Sequence, residues 1–337
     1  MTTHRGPHPA VALLRRVGPV LVSAGVLYYY LRDIDWQALA RSTARVDLPL
    51  AIAAVAVPQL LAWVCGTLII QRTLTWFHGP FPFRAFFWLR GASYILMFVN
   101  TLLGGGGQLL YQQRRSGVSW TRLMGIVLFR VGLGLWCITV LLIPLTLALY
   151  ALGLQDRVQL NLWVWWGLLA FGAVWLVEAW LFWHHGGNGM ISRLVVRDRD
   201  SEFWTAFRRA TSRQWLAMFA LSAPPVVLTV IGYHLVNLAF GIEVPFVEAM
   251  VMMPLALVVM DLPVAFAGFG TATMAWMAFF GAYGSVEAIT AMTLFLPTAR
   301  MLVRAAIGLV SLRPALPEIE LLLGAVRARA RQSPDPS

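Results

Sequence analysis

Arg130 lies inside an apolar stretch running from about residue 123 to 150, and Arg300 and Arg304 lie one helical turn apart inside another, about 286–312. A guanidinium at bilayer depth costs at least a few kcal/mol, so it faces a bundle interior or water, or reaches back to the headgroups. Its planar fork matches a phosphate bidentately, and holding phosphate is the chemistry these three positions suggest. The alternatives are snorkelling, or a structural ion pair with Glu178, Asp261 or Glu287.

Two glycine-rich points add to that chemistry. Gly104, Gly105, Gly106 and Gly107, with Gln108 behind them, resemble an anion-binding helix start, with bare N–H groups and no Cβ in the way. Four consecutive glycines damage a continuous helix, so a broken helix is expected there; the alternative is a crossing where small residues let two backbones approach. Gly268 and Gly270, behind Pro263, invite the same interpretation. Asp261 beside this second break, with Glu178, is the candidate for balancing charge, whereas Glu248 and Glu287 are expected at the interface. The histidines and the two cysteines have no metal-ligand spacing, so no metal and no cofactor are expected. No nucleophile–base pair, Walker loop or dinucleotide fingerprint is present.

The elements that must position these groups are membrane helices. The 337 residues are 59% hydrophobic and 12% charged, with mean hydropathy +0.71, which excludes a soluble globular domain. All 26 basic residues are arginine, and most sit at the ends of apolar spans, which points to topology and anionic headgroups rather than nucleic acid. Six stretches are long enough to cross: approximately 11–31, 48–70, 123–150, 160–183, 215–240 and 286–312. The first resembles a signal peptide but lacks a clear cleavage site, so it is expected to stay as a helix. Two further regions, approximately 85–117 and 247–283, are interrupted in the middle and are each either two spans or one re-entrant hairpin.

The expected fold is therefore all-α and integral to the membrane, with about six full transmembrane helices and two interrupted or re-entrant helical hairpins. A 1–10 tail, a single polytopic domain over 11–312 with a loop at 184–214, and a 313–337 tail complete it. Nineteen arginines on the N-terminal, loop and C-terminal side against four opposite place both termini in the cytoplasm. That count includes Arg90 among the loop charges. On this topology the two hairpins enter from opposite faces, an inverted-topology repeat. Asn100, the glycines, Gly117 and Arg130 are echoed by Asp261, Gly268, Gly270, Gly284 and Arg300. Phe203, Trp204 and Phe207 against Arg208 and Arg209 suggest a short amphipathic helix in the loop, and the fifteen tryptophans read as interfacial belts and lipid-facing bulk.

The run from Asn100 through Gln108, then Arg114-Arg115-Ser116-Gly117 and Phe129-Arg130-Val131-Gly132, resembles the first signature of the lysylphosphatidylglycerol synthase transmembrane-region family. Leu262-Pro263 through Gly268-Phe269-Gly270, with Gly284 and Arg300, resembles the second. The resemblance implies a flippase-like multi-span protein of a bacterial inner membrane. The chain departs from the pattern where Gln108 stands near an acidic position and Thr271, Ala272 and Thr273 follow Gly270. It also lacks the soluble aminoacyl-transferase domain of bifunctional synthases, so it is not expected to make aminoacylated lipid alone.

Taken together, the sequence suggests lipid translocation. Asn100, Gly104 to Gly107, Gln108, Arg130, Gly268, Gly270, Arg300 and Arg304 would contact an anionic or zwitterionic, phospho- or polyprenyl-linked lipid. The alternatives are a lipid-modifying transferase, or a non-catalytic partner that docks a cytoplasmic synthase through the arginine-rich loop. Membrane lipids are the expected partners, and nucleic acid is not.

Overall fold

The computed structural model describes residues 37, 44, 46–99, 101–153, 162–184, 196, 198–260 and 269–332. Among them there are ten α-helices and no strand: α1 Leu48–Phe77, α2 Phe83–Val99, α3 Thr101–Ser116, α4 Trp120–Ala151, α5 Leu162–His184, α6 Thr205–Arg209, α7 Ser212–Ala239, α8 Phe246–Met260, α9 Phe269–Phe280 and α10 Val286–Gln332. Four are long and apolar enough to cross a membrane: α1, most of α4, α7 and the 286–322 part of α10. The expected span at 160–183 corresponds to α5. The one at 11–31 lies outside the described residues.

Local chemistry sets the helix ends. Asp47 caps α1 by accepting from the Leu50 N–H at 3.1 Å, and Ser119 caps α4 through the Arg122 N–H at 3.3 Å. Thr211 and Gln214 form a reciprocal capping box at the start of α7: the Gln214 backbone N–H donates to the Thr211 hydroxyl and the Thr211 backbone N–H to the Gln214 side-chain Oε1. Gly117 and Gly241, with φ of +69° and +72°, turn the chain out of α3 and α7 in the left-handed conformation.

The described residues divide into two compact units. The first draws on Met1–Val55, Pro144–Asn161 and Val230–Arg300; the second on Ala56–Ile143, Leu162–Thr229 and Met301–Ser337.

In the second unit an aromatic cluster holds the helices together. Phe129 on α4 meets Phe77, Phe207 and Trp215 edge-on at 5.4, 5.2 and 5.4 Å between ring centres, and Trp136 stacks on Trp215 at 5.1 Å. Such pairs contribute about 0.5–1.5 kcal/mol each beyond area burial, and packing of this kind is what associates helices in lipid. Trp136, Trp183 and Trp215 are thus core residues rather than belts or lipid-facing bulk, as is Trp276 in the first unit. The loop is similarly corrected. Its Phe203–Phe207 segment is a 3-10 turn running into the five-residue α6, with Phe207 buried in the same cluster. Its aromatic side docks on the protein, and Arg209 is exposed.

Two pairs of short helices stand where interruptions were expected. Helices α2 and α3, 17 and 16 residues long, are separated by one residue and fold back on one another. At 1.5 Å per residue each reaches about 25 Å, short of a core of about 30 Å. Helices α8 and α9, 15 and 12 residues long, likewise pack together. The position of the first break differs from expectation. Gly104 to Gly107 lie within continuous α3, and Asn100, between α2 and α3, lies outside the described residues. Glycine weakens a helix by only about 1 kcal/mol per residue, and packing against α2 offsets that.

Helix α10 does not stop at 312. Its later turns belong to the second unit, where Tyr111 on α3 donates to the Glu318 carboxylate at 2.8 Å and Arg114 to the Leu322 carbonyl at 3.2 Å.

Gly125 on α4 marks how tightly the loop is seated, because a Cβ there would run into the Phe203 carbonyl. Gly125→Ala should lower stability by about 1–3 kcal/mol and speed trypsin cleavage within 199–213. Gly132→Ala, which faces open space, should do neither. Limited proteolysis of the purified protein checks both.

Candidate functional site

Arg90 is the residue that the sequence hid. It lies inside α2, partly buried, rather than in a loop. Its Nη1 donates to the Trp63 carbonyl at 2.9 Å and to the Thr67 hydroxyl at 3.2 Å, both on α1. The guanidinium lies across Gly66, where a Cβ would come 2.8 Å from its central carbon. Trp63 holds α1 to α2 beside it: its indole N–H donates to the Phe87 carbonyl at 3.1 Å, and the two rings stack at 4.0 Å. Arg90 is therefore fixed by neutral oxygens and by a missing side chain.

Arg130 on α4 belongs to the same unit. Its Nη1 is buried with no hydrogen-bond partner. The charge it faces is that of Arg90. Among the described residues neither guanidinium makes an ion pair with a carboxylate. A buried, uncompensated charge costs several kcal/mol even after relaxation, and a like charge nearby adds to that.

Arg304, also in this unit, donates through Nε to Gln59 at 3.3 Å, and its guanidinium carbon stands 5.9 Å from the centre of the Tyr94 ring. Tyr94 is one turn along α2 from Arg90. Gln108 is buried and donates to the Ser93 hydroxyl at 2.7 Å, which in turn donates to the Arg90 carbonyl at 2.7 Å. Gln108 thus ties the hairpin to the backbone at Arg90. The four glycines divide in role. A Cβ on Gly104 would come 2.9 Å from both the Ser93 oxygen and the Met97 nitrogen, so this is the close crossing of two backbones. Gly105, Gly106 and Gly107 have open space where a Cβ would be and leave α3 backbone uncovered there.

Arg300 belongs to the first unit, and its Nη1 donates to the Tyr233 hydroxyl at 3.0 Å. The Tyr233 ring meets Trp276 at 5.6 Å, whose indole N–H donates to the Asn237 oxygen at 2.8 Å. The Asn237 side-chain nitrogen is buried without a partner. Tyr233, His234 and Asn237, polar groups at one- and four-residue spacing within an apolar span, were the overlooked signal for this cluster. Glu248 is 1% exposed and accepts from the Tyr283 hydroxyl.

The remaining candidates are less defined. Asn100, Asp261 and Gly268 lie outside the described residues, and Gly270 falls in the first turn of α9. Glu178 is partly buried on α5. Among the described residues no three of His, Cys, Asp and Glu come together to hold a metal ion. A groove of about 330 Å³ between α5 and α7 is lined by Val177, Trp180, Leu181, Ser212, Trp215, Leu216 and Phe219. It is apolar but for Ser212 and suits an acyl chain better than a headgroup.

A family model described as "Lysylphosphatidylglycerol synthase TM region" matches residues 16–308. No curated protein and no solved structure matches the chain.

The division among the glycines gives a direct check in detergent melts. Gly104→Ala should cost about 1–3 kcal/mol by forcing α2 and α3 apart. Gly106→Ala should leave the melting temperature unchanged or raise it, by about 0.5–1 kcal/mol of helix propensity.

Proposed function

That match spans most of the chain, which therefore belongs to the lysylphosphatidylglycerol synthase transmembrane-region family, and on that premise we propose that it is a flippase-like protein moving an anionic or zwitterionic lipid between leaflets. The observation that carries this proposal is the Arg90–Arg130 pair. Two guanidinium groups among membrane helices, without a carboxylate among the described residues to neutralise them, provide a place for a headgroup to be stabilised away from water. The short pairs α2–α3 and α8–α9 are taken as re-entrant, the arrangement in which a polar pathway is opened without exposing backbone to lipid. The membrane is taken to be a bacterial inner membrane, as the family resemblance implies, and the arginine asymmetry then favours both termini in the cytoplasm.

Docking of a soluble synthase through the 184–214 loop has weaker support. Arg199 donates to the Phe182 and Trp183 carbonyls at the end of α5, and Arg208 pairs with Asp200 at 2.8 Å. Both arginines are engaged within the chain. A lipid-modifying transferase would need a carboxylate or histidine pair beside the arginines, and nothing described there supplies one.

Reconstituted vesicles carrying fluorescent lipids test the proposal. Leaflet exchange should exceed that of empty vesicles for at least one anionic lipid, and Arg130→Gln should reduce it about tenfold or more, the loss of roughly 1.4 kcal/mol of transition-state stabilisation. Exchange no faster than in empty vesicles across a full panel of anionic lipids would overturn it.

A further inference from the structure

We propose that Arg90 and Arg130 form a seat for a doubly charged phosphate, the monophosphate or diphosphate ester head of a lipid, in preference to a singly charged phosphodiester. This rests on the lipid-handling function above and names the chemistry of its site.

The argument begins with charge. Two guanidinium groups bring two positive charges that nothing in the described protein cancels. A phosphodiester carries one negative charge and would leave one guanidinium uncompensated. A phosphate monoester, whose second proton leaves near pH 6, carries close to two at neutral pH, and a diphosphate carries at least as much. Charge count alone therefore ranks the two head types, and burial sharpens the ranking because an uncompensated charge is costliest away from water.

Donor placement supports the same occupant. Arg90 is fastened by one nitrogen to the Trp63 carbonyl and Thr67, and among the described residues its remaining N–H groups have no acceptor. Gly66 allows the guanidinium to lie against α1. Arg130 adds a buried Nη1 with no acceptor. A tetrahedral phosphate spreads its oxygens in three dimensions and so offers more directions to donors on different helices than the two coplanar oxygens of a carboxylate.

Binding to the full-length protein in neutral detergent tests this without requiring transport. The probes are phosphatidic acid, a monoester, against phosphatidylglycerol, a diester, with phosphatidylcholine as the uncharged-overall control and inorganic phosphate as the tail-free one. At pH 8 phosphatidic acid should bind at least tenfold more tightly than phosphatidylglycerol. At pH 5, where the monoester keeps a single charge, the ratio should fall towards one. Arg90→Gln and Arg130→Gln should each erase the preference. Should either variant fail to fold, Gly66→Ala, which displaces the Arg90 guanidinium while keeping every charge, should weaken it instead. Competition by millimolar inorganic phosphate would support the seat and assign its occupant to a soluble phosphate as well as a lipid; absence of competition would support a lipid alone. Equal affinity for the two lipids at pH 8, or a preference that survives both Arg→Gln changes, overturns the proposal. Loss of this preference with leaflet exchange intact would sink the seat alone; the reverse would sink translocation alone.

Discussion

Positive charge held inside the second unit without a counter-ion among the described residues is the constraint around which its packing is arranged. The contrast with the surface is instructive. Among the described residues arginine is seen to neutralise a carboxylate or cap a helix at the loop, with Arg208 on the exposed Asp200 and Arg199 on the last carbonyls of α5. The buried pair is treated differently. Arg90 is tethered to the Trp63 carbonyl, which also accepts the Thr67 hydroxyl at 2.7 Å, and Arg130 is left with a buried nitrogen unsatisfied. A native structure satisfies nearly all such atoms, and an anion accepting from Arg130 would satisfy this one.

Glycine placement makes that arrangement possible. In lipid, helices associate through close packing, and small residues decide where backbones can approach. Helix α2, which carries Arg90, is set by three such contacts in the second unit. Gly104 admits α3, Gly91 faces Ser311 on α10, and Gly308 on α10 faces Ile95. The Trp63–Phe87 stack fixes it against α1 as well. A guanidinium on so closely held a helix loses little freedom when an anion arrives, which is the condition for a preorganised site.

Much of this was legible in the sequence. Apolar length identified the long helices, and interruption by small residues identified the two short-helix pairs. What failed was the assignment of cause. The run Gly104 to Gly107 looks like a break because isolated helix propensity says so, yet tertiary packing keeps α3 continuous. Arg90 was counted as a topological charge because it lies near the start of an apolar run; the apolar residues on both sides of it were the better guide. The burial of Glu248 depends on Tyr283, 35 residues away, which nothing near Glu248 in the sequence announces. Long-range partners of that kind leave no local trace.

The two units also share an order of elements that the sequence echo had suggested. In the second unit the hairpin α2–α3 is followed along the chain by α4 with Arg130; in the first, α8–α9 is followed by α10 with Arg300. The chemistry of the two arginines is not equivalent. Arg300 is bound to the Tyr233 hydroxyl, in a chain that continues through Trp276 to Asn237, so an anion arriving there meets a cation already bonded to a neutral group. Arg130 feels the charge of Arg90 and has a buried donor without an acceptor among the described residues. A repeated layout with one satisfied and one unsatisfied arginine assigns the stronger electrostatic demand to the second unit. In the first, a hydroxyl that can both accept from Arg300 and turn its own proton outward makes the cation available without leaving it bare.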